Sequence, residues 1–282
     1  MTVSYKLLKE LKKSDRRREL GLAVIEGVRL VMDAFHSGIE FESLVVSKSF
    51  ESGEKGRKTL GTLKITGIDP VILSDSLYNA ACDTKTPQGI LAIVKTTEYS
   101  LEDILGKAGA PGIGYAACLG GEPGKKCEPR QYVILDRVSD PGNVGSIIRT
   151  AEAACFRGII MSTGCADVYS SKTLRASMGS ALRFPVVSNA DLAESIRALR
   201  DFGVIVLASA PDARKSYYSL DLSGDMAFVI GSEAFGVDRG VMGVCDGVLR
   251  LPMPGNVESL NAGVAAGILV YEALRQRLEK PE

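Results

Sequence analysis

Residues 135–153 (LDRVSDPGNVGSIIRTAEA) combine an acid at the end of an apolar run, a Pro-Gly turn and a helix that opens near Asn143. Arg149 is the sole basic side chain of that predicted helix. Because α/β sheets bind ligands at such strand ends, a dinucleotide-binding oxidoreductase is one interpretation. The segment lacks the G-x-G-x-x-G fingerprint, and the acid expected about 20 residues further on is not in place. The pattern therefore disfavours NAD binding.

A second segment, residues 230–238 (IGSEAFGVD), also follows an apolar run and holds Glu233 between Gly231 and Gly236. A glycine removes the side chain where a ligand must approach the backbone, so Gly231 is a candidate for close contact with a bound molecule. A G-x-E-x-x-G pattern is common in loops. Taken alone, this segment does not identify a function.

The third segment, residues 251–268 (LPMPGNVESLNAGVAAGI), begins with a loop that two prolines stiffen, because proline fixes φ. Small residues dominate the following helical stretch and predict a helix that packs very close to another backbone. They are Ala262, Gly263, Ala265, Ala266 and Gly267.

Apolar strands alternate with helices from residue 131 onward, and these elements must position the three segments. Six near-continuous apolar runs predict buried parallel strands, because both faces of such a sheet are covered. They are 132–136, 158–162, 184–188, 204–208, 227–231 and 247–251. Helices are predicted over 143–155, 170–182, 190–202 and 257–280. The pattern predicts an α/β domain with a mostly parallel sheet over 131–282.

Residues 1–96 predict a smaller α/β domain in front of this sheet. Strands are predicted over 22–27, 43–47, 69–74 and 89–94, and helices over 28–38 and 75–83. The whole chain has net charge zero, but residues 1–20 carry seven basic and three acidic residues. A solvated helix face explains this local excess at least as well as a phosphate-binding surface does.

Residues 97–130 are interpreted as a linker or insertion, because ten of the 24 residues from 106 to 129 are Gly or Pro. The stretch GGEPGKK lacks the spacing and the context of a phosphate-binding P-loop. The six cysteines form no C-x-x-C pair and His36 is the only histidine, so no metal site is expected. Neither a membrane helix nor an apolar signal core is evident, and we expect a cytoplasmic protein.

The three segments together resemble the SpoU (TrmH-like) family of RNA ribose 2′-O-methyltransferases, in the trefoil-knotted SPOUT superfamily. The family pattern Asn-x-Gly-x-x-x-Arg-Thr-Ala matches residues 143–151, and Gly-[Asn/Ser/Ala]-Glu-x-x-Gly matches 231–236. The eleven-position pattern [Ile/Leu]-Pro-Met-x-Gly-x-x-x-Ser-Leu-Asn matches 251–261. Ala262 and Gly263 depart from the Val-Ser that many members have next. Upstream, GVRLVMDAF and TKTPQGILAIV resemble the family's L30e-like substrate-binding domain.

This resemblance implies a C-terminal trefoil knot that binds S-adenosylmethionine, and a homodimer with sites near the subunit interface. No metal is implied, because the sulfonium is itself the electrophile. The implied cofactor-binding residues are Leu207, Ala208, Ser209, Ile230, Gly231, Leu251, Met253, Ser259 and Leu260.

The resemblance makes Arg149 the catalytic residue, with Asn143 placing the ribose and with Ser259 and Asn261 bracing the site. Arginine is effectively always protonated, so a role as base is physically awkward. Its guanidinium could instead hold the RNA phosphate and stabilise charge that develops on the 2′-oxygen. Glu233 either pairs within the site or has a purely structural role.

The implied reaction is 2′-O-methylation of a ribose in structured RNA. Ribosomal RNA is favoured over tRNA, because the additional N-terminal domain is typical of the ribosomal branch. A non-catalytic RNA-binding protein with the same fold remains an alternative that only turnover would exclude.

Overall fold

The computed structural model describes residues 5–105 and 129–279. The predicted linker falls partly outside these ranges, and the GGEPGKK stretch lies entirely outside them. The chain forms two compact units: residues 1–97 with 169–183, and residues 98–168 with 184–282. The first unit therefore includes a segment from the middle of the sequence.

Four strands form the sheet of the first unit, in the order β1-β4-β2-β3. They are β1 (Leu22–Glu26), β2 (Phe41–Ser47), β3 (Val71–Leu73) and β4 (Ile90–Lys95). β4 is antiparallel to β1 and β2, whereas β3 is parallel to β2. The helices before residue 97 are α1 (Tyr5–Glu10), α2 (Ser14–Leu20), α3 (Val28–His36), α4 (Lys48–Ser52), α5 (Glu54–Leu63) and α6 (Asp75–Ala81).

The predicted strands and the predicted helices α3 and α6 are present in this unit. The basic N-terminus is helical, and it is more than a solvated face because it buries Leu8 and Leu11 against Tyr78 and Leu91. Helices α4 and α5 were not predicted, since they are polar and carry little apolar periodicity. A C-terminal addition to this unit is α9 (Ser171–Ala176), which packs against β1.

The second unit has a seven-stranded sheet whose paired strands are all parallel. Its strand order is β7-β6-β5-β10-β8-β11-β9. The strands are β5 (Gln131–Asp136), β6 (Gly158–Ser162), β7 (Val186–Ala190), β8 (Ile205–Ser209), β9 (Lys215–Ser216), β10 (Met226–Gly231) and β11 (Gly247–Arg250). This arrangement confirms the predicted α/β fold with a mostly parallel sheet.

Helices accompany this sheet along the whole unit. They are α7 (Leu101–Leu105), α8 (Pro141–Ala153), α10 (Leu192–Asp201), α11 (Arg239–Gly243) and α12 (Ala262–Glu279). All six residues of β5 are buried, as expected for a central parallel strand. α7 lies within the predicted linker, so that stretch is not entirely irregular.

The C-terminal segment crosses back over the sheet. β11 lies beyond β8, yet the following helix α12 packs against β10 and α8 on the other side of β8. Residues 251–261 must therefore return across the strand ends, which is the kind of crossing that a trefoil knot requires.

Two helix boundaries differ from prediction by at least five residues. The last helix begins at Ala262 rather than at residue 257, and the Asn261 side chain caps it by accepting a hydrogen bond from the Val264 amide at 3.2 Å. The helix predicted over 170–182 ends at Ala176, followed by Gly179 at φ +92° and a short 3₁₀ turn. Within residues 5–105 and 129–279, no helix is both long and apolar enough to span a bilayer.

Candidate functional site

A cavity of about 290 Å³ lies at the carboxyl ends of β8, β10 and β11. Parallel strands end at the same edge of a sheet, so the loops that follow them converge there. The wall combines those three loops with the first turn of α12. The lining residues are Ser209, Ala210, Pro211, Ile230, Gly231, Ser232, Glu233, Phe235, Gly236, Leu251, Met253, Ser259, Leu260, Ala262 and Ala265.

Seven of the nine predicted cofactor-binding residues line this cavity, and Leu207 and Ala208 do not. Both of these lie inside strand β8, where Ala208 is fully buried in the hydrophobic core. Among the predicted catalytic residues, Glu233 and Ser259 are part of the wall. Pro211 and Phe235 also line the cavity, and sequence reasoning did not single them out.

Gly231 allows two backbone segments to meet. A Cβ atom at this position would lie 2.0 Å from the carbonyl carbon of Gly236 and 2.2 Å from the amide nitrogen of Val237. The amide of Gly236 donates a 2.8 Å hydrogen bond to the carbonyl of Ser232, which closes the loop into a tight turn. The expectation that Gly231 leaves room for a ligand is therefore incomplete, because the space beside it is already filled by backbone.

A buried carboxylate holds the far end of the same loop. Asp136, the acid that ends β5, is only 3% exposed and accepts a 2.7 Å hydrogen bond from the amide of Asp238. Arg137 donates to both oxygens of Asp136, and this hydrogen bonding raises the pKa of the guanidinium. The strand-ending acid seen in the sequence thus fixes the loop that carries Glu233.

Three side chains from distant parts of the sequence form a hydrogen-bonded chain at the cavity. The amide of Asn143 donates to the Glu233 carboxylate, and the amide of Asn261 donates to the Asn143 carbonyl oxygen at 2.8 Å. Gly263 leaves room beside this chain, because a Cβ there would lie 3.1 Å from the Asn261 side-chain oxygen and 3.4 Å from that same Asn143 oxygen. The arrangement fixes the orientation of the Asn143 amide and ties α8 to α12.

Arg149 is not brought to the cavity within one chain. It lies on α8 with its side chain exposed, and it does not line the cavity wall. A separation of six residues turns the helix by about 240°, so Arg149 and Asn143 project from different faces. Among the described residues, its guanidinium has no hydrogen bond or ion pair. Within the described ranges there is also no cluster of three or more potential metal ligands.

Comparison with known proteins identifies both parts of the chain. Residues 130–271 match the SpoU rRNA Methylase family, and residues 4–92 match the MRM3-like substrate binding domain. The first match spans half of the chain, and the chain belongs to the SpoU methylase family. The resemblance inferred from the three segments is confirmed.

Individual relatives agree with this assignment over nearly the full length. The chain is 32% identical to the 23S rRNA (guanosine(2553)-2′-O)-methyltransferase RlmP of Bacillus subtilis, over 93% of this chain and 92% of that protein. The SpoU methyltransferase AviRb from Streptomyces viridochromogenes, solved with AdoMet, matches with a TM-score of 0.82 at 25% identity and covers 100% of both chains. An AdoMet-bound rRNA methyltransferase from Sinorhizobium meliloti matches with a TM-score of 0.78 at 28% identity, over 96% of this chain and 94% of that one.

Proposed function

We propose that this protein transfers the methyl group of S-adenosylmethionine to a ribose 2′-oxygen in ribosomal RNA. The observation that carries the proposal is the cavity itself, with the Glu233–Asn143–Asn261 chain at its edge, in a member of the SpoU methylase family. The rRNA methyltransferases among its relatives support RNA as the substrate.

The cavity suits this cofactor in size and lining. Its volume of about 290 Å³ is close to the lower end of the range typical for small-molecule sites. Ile230, Leu251, Met253 and Leu260 provide apolar surface for an adenine ring. Backbone groups of the three loops would hydrogen bond with the polar edges of the cofactor, which suits a ligand bound at strand ends.

The bound cofactor would supply an activated methyl on its sulfonium and would leave as the thioether S-adenosylhomocysteine. The chain's residues would prepare the RNA oxygen. Asn143, oriented by Glu233 and Asn261, would hold the ribose at the edge of the cavity. Arg149 would bind the adjacent phosphate and stabilise negative charge on the 2′-oxygen as the bond to carbon forms. The proton would pass to a phosphate oxygen or to water, since arginine cannot serve as a base at neutral pH.

We propose that the active form is a homodimer. Val264, Tyr271 and Leu278 recur every seven residues along α12 and are all exposed, so they form an apolar stripe on one helix face. A second copy of the same helix carries an identical apolar stripe, so it is the partner that would cover this one. Pairing of α12 would also bring α8, which packs against it, and the exposed Arg149 close to the subunit interface.

The N-terminal unit is proposed to bind structured RNA, as its match to a substrate-binding domain suggests. Loops and bulges are the favoured targets, because their nucleotides can be displaced from the helix. Ribosomal RNA is favoured over tRNA, and a non-catalytic RNA-binding role is the second candidate. A bacterial ribosomal substrate would place the protein in the cytoplasm.

The test is transfer of tritium from methyl-labelled S-adenosylmethionine to unmodified 23S ribosomal RNA and, separately, to tRNA. Digestion to nucleosides would then identify a 2′-O-methylated ribose. We expect label in the ribosomal RNA, transferred roughly a hundredfold or more slowly by the Arg149→Ala variant. Label in tRNA alone would mean that tRNA, and not ribosomal RNA, is the substrate. Binding of RNA without any transfer would support the non-catalytic role.

A further inference from the structure

Phe235 is 81% exposed, although it forms part of the cavity wall. Among the described residues, no other aromatic side chain is as exposed: Tyr218 is 65% and Phe202 is 48% exposed. A single exposed hydrophobic residue on a surface needs no explanation. A phenyl ring at the mouth of a ligand cavity, two residues from Glu233, does call for an explanation.

The loop that carries Phe235 has little freedom to bury the ring. The amide of Phe235 donates to the Ser232 hydroxyl at 3.3 Å, next to the turn that Ser232 and Gly236 close. Gly236 has φ +65°, and Asp136 fixes the chain beyond it. The backbone therefore holds the ring outward before any substrate arrives.

Charge offers these loops little attraction for RNA. Residues 209–216, 230–239 and 249–261 together carry four basic and four acidic side chains, so their net charge is zero. An aromatic ring binds nucleic acid by a different route, because each base has a face on which it can stack. Bases in loops and bulges are the ones free to stack in this way.

We propose that Phe235 stacks on the nucleobase of the nucleotide that is methylated. The inference rests on the proposed function and adds a residue that selects and positions the RNA. With the base on Phe235, the attached ribose would lie toward Glu233 and Asn143, which are linked by a hydrogen bond. Stacking would offset the interactions that the base loses when it leaves the RNA helix.

The first test compares Phe235→Ala with Phe202→Ala, which removes an exposed phenyl ring outside the cavity. We expect Phe235→Ala to raise KM for unmodified 23S ribosomal RNA by roughly five- to 150-fold, the range found when base stacking is lost. Affinity for S-adenosylhomocysteine, measured by calorimetry, should change less than about twofold. Phe235→Trp keeps an aromatic face and should have a KM for RNA close to that of the wild type. Phe202→Ala should also behave like the wild type.

Two results would overturn the stacking role. An unchanged KM for RNA in Phe235→Ala is the first. The second is a loss of cofactor affinity as large as the loss in kcat/KM, since the ring would then cover the cofactor rather than the RNA. If the wild-type protein itself transfers no methyl group to RNA, the proposed function fails. If the wild type is active and Phe235→Ala leaves KM unchanged, only the stacking role fails, so the two failures are distinguishable.

A spectroscopic test is available because the chain contains no tryptophan. Phe235→Trp therefore carries a single indole whose emission should be quenched by the RNA, and not by S-adenosylhomocysteine alone. Phe202→Trp is the matched control and should not respond. Emission of Phe235→Trp that stays constant while RNA binding is seen by filter retention would contradict the proposal.

Discussion

Gly231→Ala is the substitution whose effect can be worked out most directly from the structure. The new Cβ would lie 2.0 Å from the carbonyl carbon and 2.2 Å from the oxygen of Gly236, whereas real Cβ contacts shorter than 3.0 Å essentially never occur. The backbone of the turn must therefore move by about 1 Å, the difference between 3.0 and 2.0. A shift of this size breaks the hydrogen bond between the Gly236 amide and the Ser232 carbonyl.

The expected cost has two parts. Overpacking a filled site costs about 1–3 kcal/mol, and the lost hydrogen bond adds about 1 kcal/mol. A destabilisation of about 2–4 kcal/mol should lower Tm by roughly 4–16 °C for a unit of this size. Because the displaced turn forms part of the cavity wall, affinity for S-adenosylmethionine should fall by at least about tenfold.

Calorimetric melting and cofactor titration check both effects. Gly243→Ala is the control, because a Cβ there meets no atom within 4 Å and the position lies outside the cavity. Unchanged Tm and unchanged cofactor affinity in Gly231→Ala would refute the backbone argument. Lost affinity with an unchanged Tm would instead mean that the loop moves freely without disturbing the sheet.

Four further outcomes are expected. Arg149→Ala should bind cofactor normally but lose turnover by roughly a hundredfold or more. Arg149→Lys should recover little activity, because lysine lacks the planar fork of the guanidinium. Wild-type rates in Arg149→Ala would show that Arg149 has no part in catalysis. Asn143→Ala should lower kcat by roughly two- to tenfold, since the exposed Glu233 carboxylate loses one amide donor and the ribose loses its support, and single-turnover rates would measure this. Tyr271→Arg places charge on the apolar stripe and should give a monomer at micromolar concentration by light scattering, where wild type should be a dimer. Burial raises the pKa of the Cys245 thiol to about 11, so alkylation by iodoacetamide at pH 8 should be about a hundredfold slower than for an ordinary thiol and should accelerate as pH rises, as followed by peptide mass spectrometry.

The parallel sheet could be predicted from the sequence because each buried strand is a nearly continuous apolar run. The start of the last helix could not be placed correctly, because the polar residues before Ala262 continue a helical pattern without forming a helix. Asn261 caps the helix, and Ser259 and Leu260 before it line the cavity instead.

The site was only partly predictable, for a related reason. Loop motifs indicated Gly231, Glu233 and Ser259, since glycine and polar residues after strands are recognisable. Phe235 occupies a variable position within the same motif, and only the fold reveals that its ring is held at the cavity mouth. The position of Arg149 relative to the cavity depends on helix phase and, in the proposed homodimer, on a second chain, and no local pattern specifies either.

Residues 169–183 belong to the N-terminal unit although β5 and β6 precede them in the sequence. The hydroxyl of Tyr169 donates to the Thr97 carbonyl at 2.6 Å, and Arg183 forms a 2.6 Å ion pair with Asp33. During synthesis, the ribosome must therefore translate through residue 183 before this unit can gain all of its contacts. Folding from the N-terminus during synthesis therefore cannot complete the first unit before β5 and β6 of the second unit have been synthesised. An exchange of this unit between relatives would likewise require two separate stretches of coding sequence to be transferred together.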